Sequence, residues 1–403
     1  MVVLLPTIED LAPNGKTVFL RVDMNIPVHP ETGSLLEHTR IEEAAVTIRD
    51  LANCRLVVAS HQGRVGREDY ISLAKHAQVL RSILGRDIRF VEDVFGPTAI
   101  AEISSLEPGD ILLLDNLRFV AEENMEFSPE NAARTVFVQK LCKYFSACVL
   151  DAFPTAHRAH PSIVGLSHLL PTAGGRLVVK ELKALNRLAR VAKGPFTTVL
   201  GGSKVSDRLE AMEALIQNKK ADKVLLSGLV ANLFLKSTGK IKNSLDANEQ
   251  APLLAKVRSL LNDYPEAFEL PLDLAIKKDG DRVEVGINEL QSDSHILDIG
   301  SRTIDHYSRI IRSSGTVFMS GPPGAFEIQG FGKGTEDLLR AMASSYATTI
   351  VSGGHLSAAL KLFGVRDSID HVSTAGGALV LYLAGRKLPL VEALEKAGER
   401  MTK

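Results

Sequence analysis

The sequence predicts an α/β protein made of two doubly wound parallel-sheet (Rossmann-like) domains joined by a helical hinge, and three observations carry that prediction. Its 403 residues exceed one ordinary compact core and divide naturally into two domains of about 200 residues each. Short, nearly continuous apolar runs alternate with amphipathic stretches, as strands covered on both faces by helices require. Glycine-rich or polar turns repeatedly follow those runs, where a strand hands the chain to a helix.

In the first half, candidate strands lie at Thr17–Val22, 55–60, Ile111–Leu114 and 148–151. The second half offers 197–200, Lys223–Leu226, 317–319 and 349–351. Helical periodicity is clear in Val205, Leu209, Met212, Leu215 and Ile216, which share one apolar face. Pro171, Gly174 and Gly175 interrupt the pattern, so the first domain is expected over 1–170 and the second over 171–387. A helix-like stretch from 176 to about 192 follows and stops at Gly194-Pro195, reading as a connector or hinge. The two halves show no repeat of one another.

With 45% hydrophobic and 24% charged residues, the composition excludes a disordered chain. A formal net charge of -1 supplies no general attraction to nucleic acid or to membrane, and neither partner is expected. If the protein handles anions, a local cluster of basic groups must do it. Cys54, Cys142 and Cys148 are odd in number and lack metal-ligand spacing, which favours core packing in a reducing cytoplasm. Residues 1–6 carry no basic leader, and no apolar run approaches the ~18–20 residues of a membrane span. A soluble cytoplasmic protein is therefore expected.

Ligands of open parallel sheets sit at the carboxyl ends of the strands. In the first half those ends lead to Asp23, Asn25 and Arg40, to His61-Gln62-Gly63-Arg64, to Asp115-Asn116-Leu117-Arg118, and to His157-Arg158-Ala159-His160. Together they would form a cationic basin, and guanidinium forks suit carboxylate and phosphate oxygens. In the second half the ends are Gly201-Gly202-Ser203-Lys204, Ser227-Gly228, Ser320-Gly321-Pro322-Pro323-Gly324 and Ser352-Gly353-Gly354-His355. Glycine turns before helices let backbone N–H groups approach a phosphate, and Lys204 could reach a bridging or transferring one.

Taken singly, each feature has a plainer explanation: a tight turn, a solvated arginine, a capping histidine. The set is harder to explain that way. The Gly201–Lys204 stretch lacks the spacing of a Walker A loop, which disfavours a P-loop fold. One half suits a small multi-anionic acid and the other a nucleotide. Phosphoryl transfer with a closing hinge is the implied chemistry.

An ordered series of segments resembles the phosphoglycerate kinase family over almost the whole chain. It runs through Arg21-Val22-Asp23-Met24-Asn25-Ile26-Pro27, Leu114-Asp115-Asn116-Leu117-Arg118-Phe119, Asp151-Ala152-Phe153-Pro154-Thr155-Ala156-His157-Arg158-Ala159-His160 and Gly201-Gly202-Ser203-Lys204-Val205-Ser206-Asp207. It ends with Gly321-Pro322-Pro323-Gly324-Ala325-Phe326-Glu327, Gly334-Thr335 and Ser373-Thr374-Ala375-Gly376-Gly377-Ala378.

The resemblance implies reversible, Mg²⁺-dependent transfer between 1,3-bisphosphoglycerate with ADP and 3-phosphoglycerate with ATP. It implies that the first domain binds the acid through Asp23, Met24, Asn25, Arg40, His61, Gln62, Gly63, Arg64, Arg118 and Arg158. Nucleotide binding would fall to Gly201, Gly202, Lys204, Asp207, Arg208, Gly228, Gly321, Pro322, Gly324, Glu327, Gly353, Gly354, His355 and Leu356, with Glu327 on the ribose. Arg40 and Lys204 would act on the transferring group. The segment 388–403 would return to the first domain, in a monomer or homodimer.

Four departures from the family pattern stand out. Ser227-Gly228-Leu229 replaces a triple glycine, Arg208 stands where many members carry Lys, and Ser320 stands for Asn. His355 replaces an Asp associated with the nucleotide's metal, leaving phosphate oxygens, water and Asp207 as the expected Mg²⁺ surroundings. The His and the compact length are similar to archaeal members. The departures also raise a rival expectation, a non-catalytic nucleotide- or anion-binding regulator on the same fold. A kinase for another acyl phosphate is a second.

Overall fold

In a computed structural model of the chain, residues 5–29, 32–191, 194–202, 205–218, 221–241, 247–291, 294–373 and 375–401 are described. The chain forms two compact units, one of residues 1–183 with 387–403 and the other of 184–386. The division falls within the helix Arg176–Val191.

The first unit holds β1 (Thr17–Val22), β2 (Arg55–Ala59), β3 (Arg89–Val91), β4 (Ile111–Leu114), β5 (Ala147–Asp151) and β6 (Thr172–Gly174). Their spatial order is β3-β4-β2-β1-β5-β6, and every neighbouring pair is parallel. All four residues of β4 are buried, which is why its sequence is a continuous apolar run rather than an alternating one. The helix Thr39–Asp50 buries Ile41, Ala44, Ala45 and Ile48, a stripe at helical spacing against the sheet's Val18, Leu20 and Val58. The helix Pro389–Met401 does the same with Leu390, Ala393, Leu394 and Ala397, and Leu390 N–H donates to Ala156 O at 3.1 Å. That hydrogen bond ties the C-terminal segment into the first unit.

From β1 the chain proceeds to β2 on one side, and from β5 to β6 on the other. Connections diverge between β1 and β5, and this opens a crevice at their carboxyl ends.

The second unit contains β7 (Phe196–Leu200), β8 (Lys223–Leu226), β9 (Phe268–Glu269), β10 (Asp273–Lys278), β11 (Asp281–Gly286), β12 (Ile296–Ile299), β13 (Thr316–Ser320), β14 (Thr348–Ser352) and β15 (His371–Ser373). One parallel sheet runs β15-β14-β13-β7-β8-β9, with its divergence between β13 and β7. The helix Val205–Gln217 buries Leu209, Met212, Leu215 and Ile216, the face its periodicity predicts. The expected strands appear within one residue of their anticipated ends.

A separate antiparallel sheet, β11-β10-β12, was not anticipated. Its hairpin turns at Asp279 (φ 51°) and Gly280 (φ 96°), the paired positive angles that a two-residue turn between twisted strands needs.

Candidate active site

Asp23 leaves the end of β1 almost fully buried. Its Oδ1 accepts from the Asn25 backbone N–H at 2.9 Å and from Arg40 Nη1 at 2.9 Å, in the first turn of the helix Thr39–Asp50. Asn25 Oδ1 in turn accepts from Gly63 N–H at 2.9 Å, and Gly63 O accepts from Arg118 Nη1. Residues from the ends of β1, β2 and β4 are thus joined, through side chains and the Asn25 and Gly63 backbone, into one chain of hydrogen bonds at the mouth of the crevice.

Gly63 has φ +67°, and a Cβ there would stand 2.1 Å from Asp69 O, so only glycine fits the turn. Arg64, next in sequence, is exposed. Arg158 is half-exposed and pairs with Glu126 at 2.9 Å.

Two of the anticipated acid-site residues form scaffold with their side chains. Gln62 is fully buried; its carboxamide accepts from Ile26 N–H at 3.0 Å and donates to Ile26 O at 2.9 Å. Met24 is buried in the core, and its N–H donates to Ser60 Oγ at 2.8 Å.

Beneath the basin lies a buried ionic layer that sequence reasoning missed. Arg21, inside β1, is fully buried and donates from Nε to Ser162 Oγ at 3.0 Å, and its Nη2 lies 3.1 Å from His61 Nδ1. Glu123 accepts from Ser162 N–H at 3.0 Å and from Ser162 Oγ, and stands 3.9 Å from Arg21. The local sequence signal was a single charge, Arg21, next to last in β1.

The cationic surroundings govern the titrating groups. Burial alone would raise the Asp23 carboxyl, but Arg40 foremost, with the Asn25 N–H and Arg21, brings it down to about 2. Burial, with further lowering from Arg21 and Arg118, holds the His61 imidazole well below its ordinary range, although Asp23 opposes them. His160 is lowered to about 3, by burial first and then by Arg21, Arg118 and Arg158. Burial pushes the Glu123 carboxyl up. The basin therefore keeps His61 and His160 neutral and carries its positive charge on arginines.

In the second unit, the carboxyl ends of β7 and β13 meet so closely that side chains are excluded. Gly201 N–H donates to Ser320 O and Gly202 N–H to Pro322 O, each at 3.0 Å. These two amides are thereby committed within the protein and are not free to receive a phosphate. The glycines at this seam serve close backbone approach: Gly321 has φ +82°, and a Cβ there would meet Gly201 O at 2.2 Å.

Beside the seam opens a cavity of about 440 Å³. Six of the residues anticipated for the nucleotide line it: Gly202, Gly228, Pro322, Gly324, Glu327 and His355. Its apolar wall comes from Leu229, Leu274, Ile296, Leu297 and Ile299, mostly on the antiparallel sheet and its approach, and these were missed. Gly353 precedes and Gly354 begins the helix Gly354–Leu362, whose first-turn N–H groups lack intrahelical acceptors and favour an anion. His355 is exposed there, while the Leu356 side chain is buried.

Lys204 lies outside the described residues, as does the side chain of Asp207. Arg208 Nη1 donates to Ser320 Oγ at 2.6 Å. Two departures from the family pattern are thus one contact, in which a longer cation meets a shorter hydroxyl. Among the described residues no cluster of His, Cys, Asp or Glu is arranged to hold a metal. No helix of the described residues is long and apolar enough to cross a membrane.

A family model described as phosphoglycerate kinase matches residues 8–386. A protein named phosphoglycerate kinase from Methanothermobacter thermautotrophicus is 42% identical over 97% of each chain. Another of that name from Methanothermus fervidus is 39% identical over 98% of each. Among solved structures, the phosphoglycerate kinase of Pyrococcus horikoshii OT3 has a TM-score of 0.88 and 34% identity, covering 98% of this chain and all (100%) of its own. That of Coxiella burnetii gives 0.73 and 31%, with 97% and 99% covered.

Proposed function

The chain belongs to the phosphoglycerate kinase family, and from that premise we propose how its residues divide the work of moving a phosphoryl group reversibly between 1,3-bisphosphoglycerate with ADP and 3-phosphoglycerate with ATP. The acid is assigned to the basin of the first unit and the nucleotide to the cavity of the second.

The observation that carries the acid assignment is the hydrogen-bonded series Arg40–Asp23–Asn25–Gly63–Arg118 at the carboxyl ends of three adjacent strands. Asp23 engages one nitrogen of Arg40 and leaves the rest of its fork for a carboxylate or a transferring phosphoryl oxygen. Arg64, Arg118 and Arg158 are assigned to the stationary 3-phosphate. His61 and Asn25 are assigned to the carboxylate end.

In the cavity, the apolar wall of Leu229, Leu274 and Leu297 suits a nucleobase, and Glu327 suits the ribose hydroxyls. The phosphates fall to the first turn of the helix Gly354–Leu362, to His355, and to Lys204 and Asp207 by family resemblance. Mg²⁺ enters as part of the nucleotide substrate: His355 supplies nitrogen where this ion prefers oxygen, so the ion's oxygens come from phosphate and water, with Asp207 the candidate carboxylate.

The chemical step needs no protein nucleophile. A carboxylate oxygen of 3-phosphoglycerate bonds to the γ-phosphorus as the bond from that phosphorus to the β,γ-bridging oxygen breaks, and ADP leaves with the electron pair. Catalysis is alignment and neutralisation of the oxygens in flight. The reading also places the protein in the cytoplasm as a monomer or homodimer, which sedimentation and fractionation test.

Calorimetric titration of Arg118→Ala with each ligand tests the assignment. 3-Phosphoglycerate should weaken by about tenfold or more, the loss of one charged hydrogen-bonding partner, while ATP binding stays unchanged. Weakened ATP with unchanged 3-phosphoglycerate would reverse it.

A further inference from the structure

We infer that Arg21 is a positioning residue that fixes His61 as the tautomer protonated on Nε2, so that the ring presents one N–H donor to the acid substrate. The inference rests on assigning the basin to that acid.

Arg21 cannot act on the ligand directly, because it is fully buried within β1. Its fork is fully directed: Nε to Ser162 Oγ at 3.0 Å, Nη1 to Val22 O, and Nη2 toward His61 Nδ1 at 3.1 Å. Glu123, which accepts from both the N–H and the hydroxyl of Ser162, holds the serine against the guanidinium. The orientation of Arg21 is therefore set from its far side.

A guanidinium has only donors and keeps its proton. For the 3.1 Å approach to be a hydrogen bond, Nδ1 of His61 must offer its lone pair. A proton on Nδ1 would set donor against donor. A neutral ring whose Nδ1 accepts carries its hydrogen on Nε2. Nε2 makes no hydrogen bond to a described residue, in a side chain that is otherwise enclosed at 2% exposure.

The charged groups around the ring agree with a neutral state. Burial first, and then Arg21 from β1 and Arg118 after β4, disfavour a second proton against the pull of Asp23. The ring supplies direction to the substrate oxygen without supplying charge, which leaves charge neutralisation to the arginines.

Nitrogen-15 two-bond correlation spectra of the histidine-labelled full chain, recorded without ligand between about pH 6 and 8, read the tautomer directly. The His61 signals, identified by their loss in His61→Gln, should show a bare Nδ1 and a protonated Nε2 throughout. A proton on Nδ1, or a titrating imidazolium, overturns the inference. In Arg21→Met the signals should become tautomer-averaged or titrate, and in Arg21→Lys they should keep the wild-type pattern. A folded Arg21→Met that retains the fixed tautomer also overturns it.

If Arg21→Met does not fold, the side-chain geometry of His61 variants gives the second reading. Glutamine places an amide N–H near the Nε2 position and asparagine near Nδ1. His61→Gln should therefore keep the KM for 3-phosphoglycerate closer to wild type than His61→Asn, by about tenfold for one hydrogen bond to a charged group. Equal losses contradict the inference. 3-Phosphoglycerate that binds without moving the His61 signals overturns the basin assignment instead, and the tautomer of the free chain is read independently of it.

Discussion

Arg40 Nη1 meets Asp23 Oδ1 at 2.9 Å, while the second oxygen of the same buried carboxylate has no hydrogen-bond partner among the described residues. The carboxylate therefore aims the guanidinium from one side only. Replacing Arg40 removes a cation directed at charge that develops during transfer, and Arg40→Ala should lower kcat by about 100-fold or more. Its Kd for 3-phosphoglycerate, by calorimetry, should change much less. A variant with near-normal kcat would remove Arg40 from the chemical step.

The same pair makes stability depend on acid. The folded Asp23 carboxyl sits at about 2, below the ordinary ~3.9 of an unfolded chain. Its contribution is fully present above about pH 4 and is lost as the pH falls through about 2. Asp23→Asn should be less stable than wild type at pH 7 by on the order of 2 kcal/mol. Denaturant unfolding at stepped pH should show the gap closing between about pH 4 and 2. A gap independent of pH would mean that packing, not charge, makes the difference.

At the seam of β7 and β13, Gly321→Ala combines a left-handed backbone with a Cβ 2.2 Å from Gly201 O. The neighbouring strand end must move, at a cost of about 1–3 kcal/mol or more. Because Gly202 and Pro322 also line the cavity, the KM for ATP should rise while that for 3-phosphoglycerate holds. An unaltered melting temperature with unaltered KM would show that the seam yields freely.

The sequence made the two parallel sheets legible because buried strands such as β4 write themselves as unbroken apolar runs. The β10–β11 hairpin escaped although Asp279-Gly280 is a strong turn signal, since its charged and half-buried strands do not resemble sheet cores. β3, β6 and β15, at three residues each, are too short to carry a period and are fixed by their neighbours.

The candidate site was legible where cations follow strands, as at exposed Arg64 and part-buried Arg40 and Arg118. It was not legible where one buried ion orients another: nothing local marks Ser162 or Glu123 as neighbours of Arg21, 141 residues from the serine in sequence. The glycines of β7 and β13 were recognised, but the N–H groups of Gly201 and Gly202 face protein carbonyls that only the assembled sheet brings near.

The most direct measurement is formation of 1,3-bisphosphoglycerate from 3-phosphoglycerate and ATP, trapped by its dehydrogenase and followed as NADH loss. The account predicts turnover that requires Mg²⁺ and disappears in a Lys204→Ala control. Folded protein that binds both ligands yet gives no turnover would contradict it, and His355→Asp would then be the first variant to assay.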